Sequence, residues 1–204
     1  MTTIRPDGTR LERITAFSDG VFAIAITLLV LPLTDTVLSD DRIGPQLLDL
    51  LPRMLTFALS FVVIGRYWMF HHQLFDRFVR ADRRLMSLNL AYLFGIAFLP
   101  FPTSALGEHG ARTAAVVLYA ANLIVIGLAS AAIWWHASSG GRLTGPEVTP
   151  AAARATLIHG LAPVVALVPS IPIAFVAPAA AMFSWLLILP VSVLADRLFP
   201  DPAG

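Results

Sequence analysis

Cysteine is absent from the 204 residues, which excludes disulfides, thiolate nucleophiles and cysteine-ligated metals and leaves the redox compartment open. Lysine is absent too: all 14 basic residues are arginine. Charge of either sign is scarce. Charged residues make up 13% of the chain and apolar residues 57%, against about 25% and about 45–50% in a soluble domain. The net charge of +1 offers no basic surface for nucleic acid. Internal repeats and low-complexity tracts are missing as well. What is present is hydrophobic sequence in long blocks, with a mean hydropathy of +0.76. That is the composition of an all-α polytopic membrane protein, read here as one bundle over 1–204 and not as two domains.

Six stretches approach the roughly 20 residues needed to cross a bilayer core, at about 14–33, 51–72, 85–106, 112–135, 156–176 and 179–197. Pro163, Pro169, Pro172, Pro178 and Pro190 punctuate the last two, where kinks are expected, with a re-entrant pair as the alternative. The first span is too long for a signal peptide and carries Asp19 near its start. Arginines set the orientation. Arg5, Arg10, Arg13, Arg77, Arg80, Arg83, Arg84, Arg142, Arg154 and Arg197 fall on one side, and only Arg42, Arg53 and Arg112 on the other. The positive-inside rule then places both termini, 1–13 and 198–204, in the cytoplasm. The segment from Thr34 to Asp49 is expected as an extracytoplasmic loop, and Gly-rich Ser138 to Thr149 as a flexible cytoplasmic one.

An ionisable group inside a span costs about 2.5–3.5 kcal/mol on insertion scales, so each needs a partner or a purpose. Ser18 and Asp19 in the first span, Arg66, Tyr67, Trp68, His71 and His72 in the second, and Asn89 and Tyr92 in the third all sit toward the cytoplasmic end. At one depth they can form a hydrogen-bonded cluster around Asp19. Turning the first span at about 100° per residue puts Gly20, Ile24, Thr27, Leu28 and Leu31 on one stripe, with Asp19, Phe22, Ile26, Leu29 and Leu33 opposite. Copies of this helix around an axis would narrow it at Ile24 and Leu31 and place hydroxyls at Thr27, and such apolar constrictions gate by dewetting. Periodicity alone favours a lipid-facing or bundle-core stripe over a pore.

The run Arg13-Ile14-Thr15-Ala16-Phe17-Ser18-Asp19 resembles the R-x-x-x-F-S-D signature of the transmembrane protein 175 family, whose animal members are endosomal and lysosomal potassium channels. Arg13 to Pro32 resembles that family's first helix. Tyr67-Trp68-Met69-Phe70-His71-His72 is similar to its second-helix motif, and Asn89-Leu90 with Ala97 to Thr103 to its third. The resemblance covers about half the chain. It implies a potassium-selective homotetramer with the pore lined by the first helix of each subunit. It also implies hydrophobic constrictions in place of a carbonyl filter, and the chain has no TVGYG-like segment; the ordinary potassium-channel fold is not expected. Matched residue by residue, it implies Ile24, Thr27, Leu28 and Leu31 as pore-lining, with the potassium pathway near Thr27. A polar network of Arg13, Phe17, Ser18, Asp19, Trp68, His71 and Asn89 would hold the pore helix. For a bacterial member the setting is the inner (plasma) membrane, with potassium, the bilayer and other copies of the chain as partners and no cofactor.

Arg13 and Asp19, six residues apart, lie on different faces of a continuous helix, so contact through another helix or subunit is easier than a direct pair. Two other function classes compete. His71 and Asp76 have the H-x-x-x-x-D spacing of a lipid acyltransferase pair, without a companion Gly-rich motif, and His71, His72 and Asp76 make a poor metal set because adjacent helical histidines diverge. An enzyme is not expected. A proton-linked secondary transporter using Asp19, His71 and His72 is the main alternative, although the inverted repeats typical of transporters are not visible.

Overall fold

The computed structural model describes residues 6–35, 40–110 and 112–200. Arg5 and the end of the 198–204 tail lie outside the described residues. Among the described residues the chain is helical: α1 (Pro6–Leu28), α2 (Leu31–Thr34), α3 (Ile43–Asp49), α4 (Leu51–Asp76), α5 (Arg83–Phe98), α6 (Pro100–His109), α7 (Thr113–Ser138), α8 (Pro150–Leu167), α9 (Ser170–Val176), α10 (Pro178–Ser184) and α11 (Ile188–Leu198). They combine into six spans long and apolar enough to cross a membrane, Arg10–Thr34, Leu51–Asp76, Arg83–His109, Thr113–Gly141, Pro150–Val176 and Pro178–Leu198.

Proline sets the breaks within spans, because it has no N–H for the carbonyl one turn earlier. Pro32 follows the turn between α1 and α2, Pro100 starts α6, and Pro169 opens the joint between α8 and α9, while Pro178 begins the sixth span. Each break leaves the span's overall path long enough to cross. The fifth span begins six residues before its expected start at 156, because Thr149 caps α8 by accepting from the Ala152 N–H at 3.2 Å. Polar Arg154 in the first turns had masked that start.

The fourth span, α7, is the centre of the packing. It touches α5, α6, α8, α9 and α10, and buries Val116, Tyr119, Ala120, Ile126, Ile133, Trp134 and Ala137. Its contact with α5 needs glycine: a Cβ on Gly95 would lie 2.7 Å from Ile126 Cγ1. There the Asn122 amide donates to the Gly95 carbonyl at 3.2 Å. The first span is peripheral, packed on α4 and α5.

The loops differ from expectation. Residues 40–49 form a short 3₁₀ turn, Asp40–Arg42, followed by α3, not an irregular loop. The Gly-rich 139–149 segment is docked. Val79 N–H donates to the Leu143 carbonyl at 2.8 Å and Gly145 N–H to that of Arg77 at 3.1 Å, with Leu143 and Thr144 buried. Asp82 caps α5 through the Leu85 N–H at 2.7 Å and meets His136 of α7 at 2.9 Å. Partial burial pushes the Asp82 pKa up, but the hydrogen bonds from Leu85 and His136 and the His136 charge outweigh this and hold it below the ordinary 3.8.

Replacing Gly95 by Val is expected to cost about 1–3 kcal/mol by overpacking against Ile126, read as a lower melting temperature in detergent. Gly65→Ala, with open space around it, is expected to stay within about 0.5 kcal/mol of the wild type.

Candidate pore helix and its polar anchor

The first span, α1 with the turn and α2 that follow it, divides cleanly into two faces. Ile14, Ser18, Phe22, Ala25 and Leu29 are buried at helical spacing against α4 and α5. The opposite face is bare in the protomer: Ile24 is 62% exposed, Phe17 55%, Leu31 50% and Leu28 39%, and Gly20 and Thr27 are exposed beside them. Thr27 donates its hydroxyl proton to the Ile24 carbonyl at 2.8 Å. That satisfies the donor within the helix and leaves both lone pairs of the exposed oxygen to accept from water or a cation. The break between α1 and α2 falls within this face, between Leu28 and Leu31.

Three side chains from three spans anchor the buried face. The Asn89 amide of α5 donates to Ser18 Oγ at 3.0 Å, and Ser18 Oγ donates to the Ile14 carbonyl at 2.9 Å. The Asn89 carbonyl oxygen lies 2.9 Å from His71 Nε2, so the imidazole carries its proton on Nε2. Ser18, Asn89 and His71 are all buried. The His71 ring is stacked between Phe75 (4.3 Å) and Tyr92 (5.4 Å), with Phe22 of α1 at its edge (5.7 Å). Next to this chain, Trp68 Nε1–H donates to Asp19 Oδ1 at 2.9 Å.

The expected cluster around Asp19 is therefore centred on Asn89 instead. Asp19 lies at the edge between the buried and bare faces, where it accepts a hydrogen bond from Trp68. Arg13 and Phe17 stand apart from the network within one protomer: both are exposed, and Phe17 continues the bare face. Arg66 is exposed and makes no contact with Asp19. The His71–Asp76 pair imagined for an acyltransferase is not formed: Asp76 faces His72 at 4.0 Å while His71 is engaged by Asn89. Among the described residues no group of three acidic or histidine side chains could hold a metal ion.

A second polar knot was not anticipated from the sequence. Ser60 of α4 lies 3.0 Å from Tyr119 OH of α7 and 2.9 Å from Thr103 Oγ1 of α6. Tyr92 OH donates to the Tyr67 carbonyl and Tyr67 OH to the Leu123 carbonyl, both at 3.1 Å. The hydroxyls of Ser60, Thr103 and Tyr119 sit singly in apolar runs and carry no motif that pairs them, whereas Tyr67 and Tyr92 were expected in the cluster around Asp19.

Comparison with known proteins bears on this geometry. The sequence model described as "Endosomal/lysosomal potassium channel TMEM175" matches residues 13–100, which hold α1, α4, α5 and the whole Ser18–Asn89–His71 chain. A potassium channel of Streptomyces collinus is 40% identical over 156 residues, 72% of this chain and 74% of that one. The human endosomal/lysosomal proton channel TMEM175 is 30% identical over 148 residues, of which this chain covers 29% of the length. The crystal structure of a lysosomal potassium-selective channel TMEM175 homolog from Chamaesiphon minutus superposes with a TM-score of 0.77 at 27% identity, covering 92% of this chain and 99% of that one. With the sequence model matched over 13–100, a relative 40% identical over 72% of this chain and the fold in common, the chain belongs to the TMEM175 family.

Proposed function

We propose that this chain is a potassium channel subunit in which α1 of each copy lines the pore. The observation that carries the reading is the two-faced α1. It is tied to α4 and α5 by Ser18, Asn89 and His71, while Ile24, Thr27, Leu28 and Leu31 face away from the protomer. A homotetramer around this face would set rings of Ile24 and Leu31 as apolar constrictions that gate by dewetting, with Thr27 oxygens between them. The relatives' descriptions as potassium channels favour potassium as the ion. No bond-making chemistry is needed, and the reading is of a channel and not an enzyme. The arginine asymmetry supports cytoplasmic termini, and a multi-pass position in a bacterial inner membrane.

The alternative of a proton-linked transporter has less support. Its ionisable candidates are confined to one end of the spans, with Asp19 held by Trp68 and His71 by Asn89 and two aromatic rings.

Liposome flux tests the reading. Potassium flux is expected to exceed sodium flux without a second coupling ion. Ile24→Ala should raise the flux and relax the preference; Thr27→Val, similar in shape but without the hydroxyl, should reduce the preference for potassium while leaving flux in place. Flux that stops when a coupling ion is withdrawn contradicts the proposal, as does an Ile24→Ala variant that behaves as wild type. Asn89→Leu leaves buried Ser18 and His71 without their partner, at an expected cost of about 1–3 kcal/mol, measured as loss of thermal stability and of the assembled oligomer.

A further inference from the structure

The docked loops just beyond the polar anchor form an open cavity that the pore reading does not use. It measures about 820 Å³ and is lined by Val79, Arg80, Arg142, Thr144, Pro146 and Val148 among others. Two structural features build it. The chain leaves α7 through Gly140 and Gly141, both at positive φ (76° and 62°), a conformation that glycine adopts without steric cost. The backbone bonds from Val79 and Gly145 then clamp 139–149 onto 77–80. The cavity is thus preformed between the ends of α4, α7 and α8.

The charged residues that line it are both arginines. Neither the Arg80 nor the Arg142 guanidinium has a hydrogen-bond or ion-pair partner among the described residues. The neighbouring carboxylates are partly occupied: Asp82 by Leu85 and His136, and Asp76 by His72. Glu147 folds back against Gly145 and sets a carboxylate beside the cavity wall. Val79, Pro146 and Val148 add an apolar rim. Depth comes from Trp135, 64% exposed one turn inside the end of α7, where tryptophan favours the headgroup level of a bilayer.

We infer that this cavity binds the phosphate of an anionic phospholipid headgroup, with Arg80 and Arg142 as its donors and the apolar rim against the glycerol and first acyl carbons. Arginine suits phosphate because its planar fork makes paired charge-assisted hydrogen bonds, and basic pockets at the membrane ends of helices favour anionic headgroups.

The test is a melting-temperature titration of the full chain in detergent with short-chain phosphatidylglycerol, short-chain phosphatidylcholine or inorganic phosphate. Phosphatidylglycerol is expected to raise the melting temperature in a saturable way, and the other two are not. Arg80→Gln with Arg142→Gln should weaken the apparent affinity about thirtyfold, and Arg142→Gln alone by about fivefold. Arg83→Gln with Arg84→Gln, outside the cavity, should change it by less than about twofold. An equal response to inorganic phosphate would overturn the lipid assignment in favour of a soluble anion. An equal response to phosphatidylcholine, an equal loss in the Arg83/Arg84 variant, or no response to phosphatidylglycerol would each overturn the site. None of these outcomes depends on α1 lining a pore.

Discussion

The amide of Asn89 joins three spans at one point. Inside a bilayer a polar side chain has no water to turn to, so a buried Asn, His and Ser must satisfy one another. Asn89 does this with both ends of its amide, donating to Ser18 and accepting from His71. The arrangement fixes the rotation of α1 about its own axis. Once Ser18 faces α5 and Phe22 faces His71, Ile24, Thr27 and Leu31 have only the outside left to them. Apolar packing alone would define that rotation less sharply, since leucine and isoleucine are as comfortable in lipid as against protein.

The remainder of the bundle provides a rigid backing. The central α7 is held at small-residue contacts such as Gly95 against Ile126, and by the knot of Ser60, Thr103 and Tyr119. Individual interhelical hydrogen bonds in membranes average about 0.6 kcal/mol, so their role here is geometric more than energetic. They select one register among many that hydrocarbon packing would tolerate. The first span, by contrast, packs on the bundle along one face, which leaves the other for the proposed assembly.

Much of this was legible in the sequence. Six hydrophobic runs describe the spans because burial in lipid is a property of composition, read over about 20 residues. The stripe through Ile24, Thr27 and Leu31 follows from helical periodicity, and the structure leaves those residues bare. Periodicity could not say what that face meets. Less was legible where three-dimensional neighbours decide. Asp19 drew attention as the charged residue, yet the neutral Asn89 is the junction, because an uncharged amide can donate and accept at once in a dry site. The docking of 139–149 onto 77–80 was hidden because glycine-rich sequence reads as flexible, while two left-handed glycines here make a fixed turn. The start of α8 at Pro150 was missed because a cap is a local hydrogen bond and not a hydropathy signal.

The lack of cysteine makes the central claim directly accessible, since any single introduced thiol is unique in the chain. Cysteine placed at Ile24 or Leu31, and in parallel at Phe22 or Leu29 on the buried face, should be challenged with a charged, membrane-impermeant thiol reagent during potassium flux in liposomes. Block at Ile24 and Leu31, with flux unchanged at Phe22 and Leu29, is the result expected if the bare face of α1 is the ion path. Block confined to the buried face, or reagent-insensitive flux at all four positions, would contradict it.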